Sequence, residues 1–165
     1  MDVDQDALKG FMDAYHCEDL TPYVEEAISR CPFKHDFTFD EVLALLSKRI
    51  RGKYIPVDVQ DRIEGRRLDS LLLFVMFRVR NTHRVSQIRD PDVQRMRPYI
   101  EFKYFADTPP CAQAMELSGR WLHPDELKPF PLDGCFKQLC FCDYRTNSKR
   151  DLERSPRDWP LPNSE

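Results

Sequence analysis

Gly134-Cys135-Phe136-Lys137-Gln138-Leu139-Cys140-Phe141-Cys142 is the segment on which the fold of this chain turns. With Cys111 upstream it gives the spacing C-x23-C-x4-C-x-C, so four of the six cysteines fall in the last third of the sequence. Thiolates are soft ligands, and four of them suit the tetrahedral coordination of Zn²⁺. On an extended backbone alternate side chains share a face. Cys140 and Cys142 then point to one side and Phe141 to the other. Cys111 follows the turn Thr108-Pro109-Pro110 and opens a short helix, where free N–H groups favour the thiolate. His123, in Leu122-His123-Pro124, is the substitute ligand should one cysteine stay out. The expected site is a structural zinc site, because four protein ligands leave no position for water or substrate. Buried free thiols, disulfides and an iron–sulfur cluster are the other readings of the same cysteines. Cys17 and Cys31 read as small buried hydrophobes.

Upstream of the knuckle, Tyr99 to Phe105 alternates as a strand does. Cys111 to Leu117 reads as a short helix, Arg120-Trp121-Leu122 as a short strand, and Pro124 to Pro131 as a loop. The first half is helical. Ala7, Leu8, Phe11, Met12 and Tyr15 stand at helical spacing. Thr21-Pro22 reads as a cap and first turn leading a helix to Arg30. Thr38-Phe39-Asp40-Glu41 is a capping box ahead of the apolar stripe Phe39, Val42, Leu45, Leu46 and Ile50, with Gly52 as the stop. Leu71 to Phe77 is a continuous apolar run in which periodicity separates helix from strand poorly; helix is the expectation, capped by Asp69 or Ser70. The fold class expected is α+β: a helical region over 1–98, a strand-containing four-cysteine element over 99–145, and a loosely ordered polar tail over 146–165. In that tail Trp159 reads either as the anchor of a docking motif or as a ring packed on its own domain.

Composition bounds the function classes. Hydrophobic residues make up 41% and charged residues 32%, which is ordinary for a globular chain and too apolar for a disordered one. The longest apolar run has seven residues, far below the roughly 20 that cross a bilayer. The acidic start, with Asp2, Asp4 and Asp6, is unlike a secretory leader. A cytoplasmic protein with no membrane partner is expected, and in a reducing compartment clustered cysteines point to metal before disulfides.

Charge is unevenly spread. Residues 1–61 carry a net −6, residues 62–97 a net +5 and residues 98–165 a net −2. The middle window holds nine arginines and no lysine, which favours planar, two-pronged contacts to carboxylate or phosphate. Arg78, Arg80, Arg84 and Arg89 are its candidate nucleic-acid contacts. The competing expectation is that the acidic first third pairs with this window inside the same chain.

A resemblance covers residues 107–145. Asp107 to Ala114, Leu117-Ser118-Gly119-Arg120, and the series Pro131, Leu132, Gly134, Cys135, Cys140, Cys142 and Tyr144 resemble a short C-terminal module of uncharacterised bacterial proteins. That module has the form C-x-x-A, L-x-G-K/R and P-L-x-G-C-x4-C-x-C-x-Y, and the resemblance implies a small metal-binding element without known activity. More distantly, the D-x-x-x-C start, the L-x-G-K/R turn and the closing C-x-C are similar to the end of the Mu-type phage minor head protein domain. That likeness implies a head or virion component.

The sequence shows no Gly-rich phosphate loop, no G-x-S-x-G elbow and no H-E-x-x-H, which weighs against an enzyme. The leading expectation is a non-enzymatic interaction or adaptor protein with a protein partner and a zinc-stabilised end. The alternatives are nucleic-acid binding through the arginine window, a phage head component, and an enzyme with Cys111 as nucleophile.

Overall fold

The computed structural model describes residues 1–105, 107–137 and 140–162, so Gln138 and Leu139 of the knuckle and the last residues of the tail lie outside the described residues. The fold is α+β: a helical N-terminal portion followed by a small two-stranded antiparallel sheet.

Local signals account for the first helices. Asp4 caps α1 (Gln5–Ala14), its carboxylate accepting the Ala7 N–H at 3.0 Å. α2 (Thr21–Arg30) starts one residue earlier than the Thr21 cap would place it; the Asp19 carboxylate accepts the Thr21 N–H at 2.8 Å instead. The capping box of α3 (Phe39–Ile50) closes both ways: Thr38 Oγ1 accepts from Glu41 N, and Glu41 Oε2 accepts from Thr38 N. Gly52 stops the helix with φ at +67°, a conformation costly for a residue with a Cβ. A single turn, α4 (Val57–Gln60), follows.

The apolar run at Leu71 lies within α5 (Leu68–Arg89), the longest helix at 22 residues. Leu71, Leu72, Leu73, Phe74 and Val75 are all buried, so the helix is covered on every side over its first turns. That explains why its period is faint in the sequence. Asp69 and Ser70 sit inside the helix rather than capping it; Asp69 faces Arg49 at 3.0 Å from the first turn, where an acid complements the helix dipole. Pro91 then opens α6 (Pro91–Met96).

β1 (Tyr99–Lys103) pairs with β2 (Asp143–Asn147), in the register Tyr99↔Asn147 to Lys103↔Asp143. Where the sequence suggests a strand over Arg120-Trp121-Leu122, the structure has a lone bridge, Leu122 N–H to Ile100 O at 2.9 Å. Between them lie α7 (Ala112–Met115) and a 3₁₀ turn over Pro124–Glu126. The polar segment expected to be a loose tail instead completes β2 and forms α8 (Lys149–Arg154), capped reciprocally by Ser148 and Asp151. Beyond it Trp159 packs on Trp121 at 4.9 Å between ring centres.

Two cores share α5. The first joins α1, α2, α3 and the start of α5 through Leu8, Val24, Val42, Leu45, Leu72 and Val75. The second joins the end of α5 to the sheet through Val85, Ile88, Ile100, Phe102, Phe130 and Tyr144. Phe136, from the knuckle, belongs to the first core and stacks on Phe74 at 4.7 Å.

Candidate metal centre

Three separate segments carry the four cysteines, and Cys111, Cys140 and Cys142 pack against the second core. Cys111 is the N-cap of α7, behind the Pro109-Pro110 turn. The Lys137 ammonium donates to the Pro109 carbonyl, which ties the knuckle to that turn. Cys135 follows Gly134, whose φ of +77° suits only glycine, and its N–H closes the turn onto Leu132 O at 3.0 Å. Phe136 and Phe141 point away from the thiols, Phe136 into the first core and Phe141 toward solvent. Cys135 is buried, and Cys111, Cys140 and Cys142 are half-buried.

The thiols act on one another's acidity in series: Cys111 on Cys135, Cys135 and Cys140 on each other, and Cys140 and Cys142 on each other. They are not drawn around one centre: among the described residues no three or more His, Cys, Asp or Glu side chains stand as a ready metal-holding group. Contact alters their acidity. The Cys140 thiol, then burial, pushes Cys135 well above the usual thiol range. Contact with Cys135 draws Cys140 down, but Cys142 and burial outweigh it and leave Cys140 at about 11. Cys142 is lowered by the Cys140 thiol. Crowded half-buried thiols thus resist ionising together unless a cation supplies the opposing charge.

The other candidates have other tasks. The His123 ring is exposed, and its Nδ1 accepts the Asp125 N–H at 3.2 Å, capping the 3₁₀ turn rather than facing the thiols. Cys17 and Cys31 lie in the first core's periphery, each with its thiol on a local carbonyl, Asp19 O and Phe33 O.

Arg78 is buried and engaged within the chain: its guanidinium pairs with Glu26 at 2.9 Å, donates to Pro131 O and lies over the Phe74 ring. Arg84 donates to Tyr144 O at 3.2 Å, and Arg89 to Pro124 O and Leu127 O at 3.0 and 2.9 Å. Arg80 and Arg89 are exposed, and Arg84 is half-buried. Intramolecular pairing therefore takes up part of the arginine window, as with Arg62, which forks onto Glu41 and reaches Asp36.

Two features escape the sequence. His16, at the end of α1, stacks on His83 of α5 at 4.9 Å, a contact no local pattern announces. Glu101, central in β1, is buried and held by Arg157 at 3.1 Å and Asn147 at 3.2 Å. A carboxylate in the middle of an alternating strand was the available signal that something covers that face. No family model, curated protein or solved structure matches this chain.

Proposed function

We propose that this chain is a non-enzymatic interaction protein whose C-terminal element is stapled by a structural zinc ion on Cys111, Cys135, Cys140 and Cys142. The observation that carries the reading is that three segments bring four thiols near enough to shift one another's acidity: the turn before α7, the Gly134 turn, and the approach to β2. Zinc would supply the positive charge these thiols need to ionise side by side, and its binding free energy would add to folding. The module-like pattern of residues 107–145 supports the same reading. Four thiolate ligands would leave no open coordination position, so the metal would hold structure rather than activate water. Interaction is supported by large apolar side chains left in solvent beside the thiols: Phe105 at 66% exposure and Phe141 at 41%.

Elemental mass spectrometry of the purified protein, wild type beside Cys140→Ser, tests the metal. The expected result is about one zinc per chain, lost in the variant together with a drop in melting temperature. Metal-free wild type with four readily titrated thiols would remove zinc from the proposal.

A further inference from the structure

A groove of about 400 Å³ separates α5 from the cysteine element. Arg80, His83 and Arg84 line it from α5; Phe105 and Phe141 line it from the other side. We infer that this groove binds single-stranded nucleic acid, with Arg80 and Arg84 on phosphates and the Phe105–Phe141 pair as a platform for bases. The inference deepens the interaction reading by naming its partner, and it does not require the metal.

Charge complementarity is the first support. The chain as a whole is −3, yet this groove is locally positive. Arg80 is exposed and has no carboxylate partner among the described residues. Arg84 is held in place by the Tyr144 carbonyl and has one acid nearby, Asp143 at 3.9 Å. Arg89, further along the helix and outside the groove's lining, donates to two carbonyls and has no carboxylate partner among the described residues. Guanidinium groups fixed on a rigid helix suit phosphate oxygens.

The aromatic pair is the second support. The Phe105 and Phe141 rings meet edge to face at 5.5 Å and remain exposed. Burial against the protein's own core would have been favourable for either ring, so their position in solvent calls for a partner with a flat apolar face. A base supplies that face and the adjoining backbone supplies the anion; stacking on aromatics beside cationic side chains is how single strands are held without regard to sequence. An acidic peptide would use the arginines but leave the rings without a stacking partner. The shape excludes duplex readout: this is a recess, whereas reading a duplex needs an element projecting into a groove about 12 Å wide.

Fluorescence anisotropy with labelled 20-nucleotide oligo(U) and oligo(dT), and with a hairpin duplex, tests the inference on wild type, Arg80→Ala and Phe105→Ala. Both substituted side chains are exposed, so unchanged melting temperatures are expected. Binding of both single strands at 50 mM salt that weakens at 200 mM supports the groove. So does an affinity loss of about tenfold in Phe105→Ala, and a salt slope shallower by about 0.7 in Arg80→Ala. Three results overturn it: no binding at 50 mM salt, equal binding by wild type and both variants, or preference for the hairpin. The zinc content of the same samples keeps the two proposals apart. Full zinc with no oligonucleotide binding removes the groove and keeps the metal; binding without zinc does the reverse.

Discussion

Glu41 shows how much one side chain can connect. Its carboxylate closes the capping box of α3 and accepts both prongs of Arg62, at 2.8 and 3.2 Å. The guanidinium first, and the Thr38 N–H second, lower its pKa from 4.5 to about 2. A folded value below the unfolded one means that the ionised state favours folding. That contribution is complete above about pH 4.5 and is lost as the pH falls toward about 2. Carbon-detected NMR should find the Glu41 carboxyl titrating near 2, and Glu41→Gln should flatten the fall of melting temperature across that window. A Glu41 midpoint above 4 would show that the Arg62 contact does not persist in solution. Half of this arrangement is legible in the sequence. Thr38 and Glu41 announce the cap because capping acts over three residues. Arg62 lies 21 residues away, and no local rule links it to Glu41.

At the scale of elements, α5 is the strut that both cores share, and Arg78 is its most constrained residue. Its guanidinium faces Glu26 of α2 on one side and the Pro131 carbonyl and Asp133 on the other. Truncation would leave a half-buried carboxylate and a carbonyl without their donor. Arg78→Ala should cost about 3 kcal/mol, the low end for breaking a largely buried pair, measured by urea unfolding. A Glu26→Ala cycle should show strong coupling, and a loss below about 0.5 kcal/mol would mean that water replaces the contact. The charge imbalance between the first third and the arginine window made such pairing readable in kind, though the residue was not. Legibility followed the range of the interaction throughout. The Thr38–Glu41 capping box and the Gly52 stop are local patterns, and the structure places both where local chemistry puts them; the caps read at Thr21 and at Asp69 or Ser70 are displaced, because Asp19 caps α2 and α5 starts ahead of Asp69. β2 is not local. Thr146 and Asn147 look like tail because their partners in β1 stand more than 40 positions upstream. The Phe136 plug was hidden for the same reason, since nothing near it names the first core as its destination.

For the whole molecule the question is whether the two cores unfold as one. The boundary suggested near residue 98 falls just before the sheet, yet the second core begins inside α5 at Val85, and the knuckle returns Phe136 to the first. Arg78 adds a polar link between α2 and the Pro131 segment. Separating the halves would therefore expose apolar surface on both and strand charged groups at the join, which makes partial unfolding costly. The two tryptophans provide a test. Trp121 packs against both Tyr99 and Trp159, so the fluorescence of the two tryptophans reports the sheet end alone. Far-UV circular dichroism reports mainly α1 to α5, which precede the sheet. Urea titrations followed by the two signals should coincide in midpoint and slope. A fluorescence transition at lower urea would show the sheet end opening by itself, so that neither Phe136 nor Arg78 couples the cores. Coincidence carries a consequence for the metal: a staple acting only on residues 111–142 would then raise the stability measured by circular dichroism in the distant helices as much as that of the sheet itself.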